Sequence, residues 1–295
     1  TVNLCRNNEL IELSRTHKLD SLGHLYAEVT GFMGMKPNED EFKVMGLAPY
    51  TKYDSRPIKD AYRKFADIFF LNKDLAIEAK IPSGALRYYL FDKFQYTRFD
   101  HMAAGLQLFI EDIGTEWVEK WIKKTGLKSI ALSGGVFMNV KLNQRISQLE
   151  GVEEMFIMPS AGDESTIFGG MFYGYRVFCQ KHNLDFKPQP LDGLYLGISE
   201  TNNQVKEYLE NHLDKQKYDF EFCENIEERI ADLLVQDKVV ARHAGAMEWG
   251  ARSLGNRSII SNPASRANVK VINEMIKNRD FWMPFAPSIL EEDVN

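Results

Sequence analysis

Between Ser129 and Gly170 the chain reads SIALSGGVFMNVKLNQRISQLEGVEEMFIMPSAGDESTIFGG, two strand-loop-helix units in succession. Ser129–Ser133 is a short, mostly apolar strand, Gly134 and Gly135 come at once after it, and a helical pattern runs from Asn139 to Leu149. A second apolar run, Met155–Met158, leads through Pro159, Ser160, Ala161 and Gly162 to Asp163, where a small-residue helix starts towards Cys179. A diglycine lets backbone approach a ligand because no Cβ stands in the way. A helix that starts behind it offers unpaired N–H groups and a positive dipole end to an anion. The stretch therefore predicts a nucleotide cradle at Gly134 and Gly135, beside a carboxylate, Asp163, suited to a metal. Two plainer readings stand beside it. The diglycine also suits a tight turn in any α/β protein, and Asp163 also suits a helix N-cap. Asn139 and Asn143, spaced i, i+4, share one helix face and suit either a ribose or base, or water.

The flanking sequence supports an α/β chain of two domains. Thr1–Leu13 predicts a hairpin with a polar Arg6-Asn7-Asn8 turn, and Asp20 and Ser21 can cap a helix reaching Met35. Lys36–Tyr53, KPNEDEFKVMGLAPYTKY, reads as an ordered loop or short helix. Arg56–Phe69 is helical, Leu71–Phe99 is aromatic-rich without a clear period, and His101–Lys124 is a long amphipathic helix whose apolar stripe belongs to a core. Lys181–Leu196, with its two prolines, marks the domain boundary, drawn at 185/186. Beyond it the pattern predicts a helix over Thr201–Leu213, a strand over Tyr218–Cys223, a helix over Ile226–Gln236, a strand over Lys238–Arg242 and a helix over Arg266–Arg279.

One more stretch carries chemistry. ARHAGAMEWGARSLGNRSIISNP places three glycines and three arginines, Arg242, Arg252 and Arg257, in a short span with Asn256 and Ser258. Guanidinium forks hold phosphate or carboxylate at two points, and glycines let backbone amides join in. An anion site fits this clustering, with surface arginines on turns as the alternative.

With 295 residues and 44% hydrophobic content, the chain can bury a sizeable core. A net charge of −6 argues against a broad grip on nucleic-acid backbone. The three cysteines, Cys5, Cys179 and Cys223, form no C-x-x-C, which suits free thiols in a reducing compartment. No apolar run has the length of a membrane span, so the expectation is a cytoplasmic protein with no membrane partner, and a homodimer is compatible with it.

These motifs resemble, in order and spacing, the NodU/CmcH-type O-carbamoyltransferases: KPNEDEFKVMGLAPY, LSGGVFMN, PSAGDEST, GAMEWGARSLGNRSI and FWMPFAPSIL. The resemblance implies an actin-like (ASKHA, ribonuclease-H-like) domain over residues 1–185 and a YrdC-like α/β domain over 186–295, both incomplete in this chain. It implies carbamoyladenylate formation from ATP and carbamoyl phosphate, then transfer of the carbamoyl group to a hydroxyl-bearing acceptor: a small molecule, sugar or nucleoside. Asp163 matches the family's ligand to a divalent metal, iron or magnesium, whose histidine ligands lie outside this sequence. Gly134, Gly135 and Asn139 match the nucleotide turn, and Arg252, Asn256, Arg257 and Ser258 the anion-binding segment. Ala246 and Met283 stand where the family commonly has arginine, which predicts a less positive anion site. A non-catalytic nucleotide-binding or partner protein on the same fold stays open as the alternative, and carbamoylation of a protein thiol as a third reading.

Overall fold

In the computed structural model, which describes residues 1–6, 9–82 and 84–293, the chain forms two compact units. The first comprises Thr1–Ser165 with Trp282–Pro284, and the second Thr166–Phe281 with the residues after Pro284. The 181–196 stretch read as a boundary lies inside the second unit.

The first unit is built on a long helix. β1 (Val2–Arg6) and β2 (Glu9–Ser14) pair antiparallel; Asn7 and Asn8 of the expected turn lie outside the described residues. α1 (Leu22–Phe32) starts where Ser21 Oγ accepts from His24 N at 3.1 Å, and it ends short of Met35. The KVMGLAPY stretch folds into α2 (Glu41–Leu47) and a single 3-10 turn. α3 (Arg56–Ala66) precedes a small antiparallel hairpin, β3 (Phe69–Leu71) with β4 (Ile77–Ala79). The aromatic-rich stretch thus resolves into that hairpin and α4 (Leu86–Phe94). α5 (Phe99–Thr125) runs through the middle and stops at Gly126, whose left-handed φ of 69° lets its N–H close on Ile122 O. The stripe Met102, Leu106, Phe109 and Ile113 is buried, as its spacing predicts. Phe65 stacks on Phe94 at 4.7 Å between centroids and meets Phe109 at 6.2 Å.

β5 (Ser129–Leu132) and β6 (Glu154–Ile157) pair in parallel, Leu132 opposite Ile157, with α6 (Val140–Ser147) as the crossover. Parallel neighbours cannot be joined by a tight turn, so the helix is required by the pairing. The short segment Trp282–Pro284 belongs to this unit. Trp282 Nε1 donates to Lys43 O at 3.2 Å, Met283 is buried, and Pro284 lies against Gly46.

The second unit holds α7 (Thr166–Lys181), α8 (Asn202–His212), α9 (Ile226–Val235) and the antiparallel pair β7 (Val240–His243) with β8 (Arg257–Ile260). α8 opens on a capping box between Thr201 and Gln204. Residues 218–223 form no strand, contrary to their alternating pattern. Tyr218, Phe220 and Phe222 are all exposed, so the segment has neither a buried face nor a pairing partner to hold it extended. The helix expected over Arg266–Arg279 is α10 (Arg266–Lys270) followed by a π-helical stretch, Val271–Ile276. No helix among the described residues is long and apolar enough to cross a membrane. The fold class is mixed α/β, as the sequence indicates.

α3 and α5 cross at Gly105, where an added Cβ would stand 2.5 Å from Ala61 Cβ and 2.8 Å from Tyr62 N. Gly105→Ala is expected to destabilise the chain by about 1–3 kcal/mol, since backbone cannot yield as a side chain can. Gly174→Ala on α7 meets open space and should be neutral or stabilising. Urea denaturation of the two variants checks the contrast.

Candidate functional site

The diglycine and the Asp163 loop leave the carboxyl ends of β5 and β6, the usual place for a ligand crevice beside parallel strands. Gly134 N donates to Ala161 O at 2.9 Å, so the two loops are tied together. Gly134 has a φ of 106°, a conformation side chains rarely adopt. Gly135 has no positive φ, and among the described residues beyond its chain neighbours no atom lies within 4 Å of where a Cβ would stand, so the fold itself does not require glycine there. From Gly135 to Met138 the chain makes a 3-10 turn, and α6 begins at Val140 with Asn139 as its N-cap, as the helical pattern from Asn139 predicts. The first N–H groups of α6 are therefore set back from the diglycine.

Asn139 is buried and both ends of its side-chain amide are engaged. Its Oδ1 accepts from Leu142 N at 3.1 Å, capping α6, and from Gln107 Nε2 at 3.0 Å. Its Nδ2 donates to Gln107 Oε1 at 3.0 Å, which also accepts from Tyr26 Oη at 3.2 Å. Gln107 Nε2 reaches Glu111 Oε1 at 2.7 Å. Burial, and after it the charges of Tyr53 and Glu111, push the Tyr26 hydroxyl well above the ordinary tyrosine range, so it stays a neutral donor. Asn143 Nδ2 donates to Phe137 O at 2.7 Å, while its buried Oδ1 has no partner among the described residues.

Asp163 is exposed and opens the 3-10 turn Asp163–Ser165 that leads into α7. Beside it, the Ser160 hydroxyl donates to the Glu164 carboxylate and holds that carboxyl below its ordinary value. Among the described residues, no group of three His, Cys, Asp or Glu side chains converges to hold a metal ion.

In the second unit, the residues from Ala244 to Asn256 close the β7–β8 hairpin. The Glu248 carboxylate sits inside this loop and accepts from Leu254 N at 2.8 Å, Asn256 N at 2.7 Å and Arg257 N at 3.1 Å. Burial raises its pKa, but these N–H groups and the Arg257 charge outweigh burial and leave it below the ordinary value. Arg257 turns inward: its guanidinium donates to Ala244 O at 2.6 Å, Gly245 O at 3.2 Å and Asn256 O at 3.2 Å. Asn256 Nδ2 donates to Ala246 O at 2.8 Å, and Ser258 Oγ accepts from Gly255 N at 3.0 Å. Three of the four residues expected to bind an anion thus build the loop.

Arg252 differs. It is exposed, and among the described residues its guanidinium makes no hydrogen bond or ion pair. Its charge reaches Arg279, whose Nε donates to Asn273 Oδ1 at 2.7 Å and whose guanidinium lies 4.8 Å from the Phe285 ring centroid. Burial first, then Arg252, holds the Arg279 pKa below its ordinary value. In the sequence Arg279 reads only as a helix end, because nothing local relates it to Arg252. Met283 reads there as a lost charge, yet its side chain is packed in the first unit, where a guanidinium would need a buried partner.

Asn139→Ala removes a cap and takes one partner from each end of the Gln107 amide, leaving it Glu111 and Tyr26. It should cost about 1–3 kcal/mol of stability in a thermal or denaturant melt.

The chain matches two family models, Carbamoyltransferase N-terminus over residues 3–171 and Carbamoyltransferase C-terminus over residues 231–295. It is 29% identical to the nodulation protein NolNO of Sinorhizobium fredii, over 97% of this chain and 42% of that protein. It is 30% identical to the nodulation protein NolO of Bradyrhizobium diazoefficiens, over 94% of this chain and 50% of that one. Against the 3'-hydroxymethylcephem-O-carbamoyltransferase of Amycolatopsis lactamdurans the identity is 23%, over 74% of this chain and 34% of the enzyme. The chain spans about half the length of the curated relatives it matches first. With one model covering over half of its residues and a second taking up the SLGNRSI and PFAPSIL motifs, this chain belongs to the carbamoyltransferase family.

Proposed function

We propose that this chain serves ATP-dependent O-carbamoyl transfer, with an actin-like first unit and a YrdC-like second unit. Carbamoyl phosphate loses phosphate to water, the resulting carbamate oxygen attacks the α-phosphorus of ATP, and pyrophosphate leaves. The acceptor hydroxyl oxygen then bonds the carbamoyl carbon, gives up its proton, and AMP leaves. The family and the cephem O-carbamoyltransferase relative support the carbamoyl chemistry. The observation that carries the second unit's role is the pair Arg252 and Arg279. Arg279, whose pKa is held down first by burial and then by the Arg252 charge, and Arg252, neither in an ion pair among the described residues, fit an anionic substrate that relieves the repulsion. Arg257 supports them by fixing the loop.

In the first unit, the open face of Gly135 and the unpartnered Asn143 Oδ1 suit a nucleotide at the diglycine. Asn139 acts by holding that turn and not by touching the ligand. Asp163 alone does not fill a metal coordination sphere, and the other described residues do not complete one.

The test is carbamoyl-phosphate-dependent exchange of labelled pyrophosphate into ATP, which needs no acceptor. The wild type should exchange; its failure to do so overturns the carbamoyladenylate reading. Arg252→Ala should weaken carbamoyl phosphate on the order of tenfold to a hundredfold, as expected for one or two charge-assisted bonds. Arg252→Lys should recover only part, because an ammonium lacks the planar fork. Full activity in Arg252→Ala would move the anion site elsewhere.

A second experiment addresses the first unit. Gly135→Val meets no protein atom at its Cβ, so the fold should persist while ATP binding at the diglycine is lost. Calorimetry reads this directly. An unchanged affinity at that site would leave the diglycine a structural turn.

A further inference from the structure

The β7–β8 loop contains an anion already. Backbone N–H groups of Leu254, Asn256 and Arg257 converge, the kind of concave amide nest that elsewhere receives a phosphate. Here one carboxylate oxygen of Glu248 takes Leu254 N at 2.8 Å and Asn256 N at 2.7 Å, and the other takes Arg257 N at 3.1 Å. The reciprocal half of the arrangement is Arg257, whose guanidinium neutralises the carbonyls of Ala244, Gly245 and Asn256 on the same loop. Gly245 and Gly255, at φ of 53° and 109°, allow the chain to fold back around both charges.

We propose that Glu248 is a positioning residue, an internal anion that fills the 254–257 amide nest, shapes the loop that carries Arg252, and keeps those amides from the substrate. The substrate's anion is then met by side chains and not by this backbone. The effect on catalysis rests on the carbamoyladenylate reading; the occupancy of the nest does not. The chemistry of the carboxylate makes the role separable from packing. A small free carboxylate should replace the deleted one, whereas no free ion replaces a lost packing contact.

The experiment is chemical rescue of Glu248→Ala in the full chain, with formate as the probe and chloride at equal ionic strength as the control. Glu248→Ala is expected to slow pyrophosphate exchange at least about tenfold, in line with charge-assisted bonds being the strong ones. Formate should restore part of the rate saturably, and chloride should not. In the same variant, formate should shift the amide resonances of Leu254, Asn256 and Arg257. Inorganic phosphate added to the wild type should leave those three amides unmoved. Wild-type exchange rates in Glu248→Ala, rescue no better with formate than with chloride, or phosphate-dependent shifts of the three amides in the wild type would each overturn the proposal. Should the wild type itself fail to exchange, the carbamoyladenylate reading falls and the amide titration alone decides the place of Glu248. Should Glu248→Ala not fold, Glu248→Gln is read instead. Its neutral amide should leave the three N–H groups exchanging faster with solvent than in the wild type, and unchanged exchange would overturn the proposal.

Discussion

Gln107 and Asn139 exchange two hydrogen bonds in the interior of the first unit, and the geometry around the diglycine depends on that pair. Each amide lies in a low-dielectric setting, where a satisfied bond is strong and an unsatisfied group is costly. The pair ties α5 to the start of α6, and Tyr26 joins α1 to it from the other side. Asn139 also caps α6, so one side chain fixes both where the helix begins and where it sits against α5. Outward, the chain of contacts continues from Gln107 through Glu111 to Arg145 and Asp112, which are progressively more exposed. The polar interior is thus graded towards solvent, with the most buried members uncharged.

Glycines decide how closely the elements around this pair approach. Gly105 admits Ala61 and the backbone of α3, and Gly114 admits Leu142 of α6, whose Cδ1 would stand 2.7 Å from an added Cβ. α5 can therefore press against α3 on one side and α6 on another. Gly135 stands apart from these. Among the described residues beyond its chain neighbours, nothing comes within 4 Å of where its Cβ would stand. Small residues at packed crossings are explained by packing, and Gly135 is not.

The second unit separates backbone from side-chain electrostatics. Glu248 satisfies converging N–H groups, and Arg257 satisfies converging carbonyls; among the described residues the buried Trp249 Nε1 of the same loop has no partner. Glu248 and Arg257 are both engaged within the loop, whereas Arg252 is exposed. Ala246 contributes its carbonyl to Asn256. This backbone bond does not depend on its side chain.

The sequence by itself determined the elements whose signals are local. Apolar runs at 129–132 and 154–157 became the β5–β6 pair, the heptad-like stripe of α5 became core, and Ser21 and Thr201 capped the helices that begin beside them. It marked Gly134, Gly135 and Asp163 as neighbours, and the bond from Gly134 N to Ala161 O brings their loops together. Tertiary structure decided which polar side chains were still available. Asn139, Asn256, Arg257 and Ser258 look like ligands in a motif, because residue type shows what a group can bond but not what it already bonds. Only folding set Gln107 against Asn139 across 32 positions, turned Arg257 onto its own loop, and brought the charge of Arg252 to Arg279. The same limit explains residues 218–223. Their alternation fits a strand, but a strand needs a partner edge, and that is a property of the fold and not of the segment.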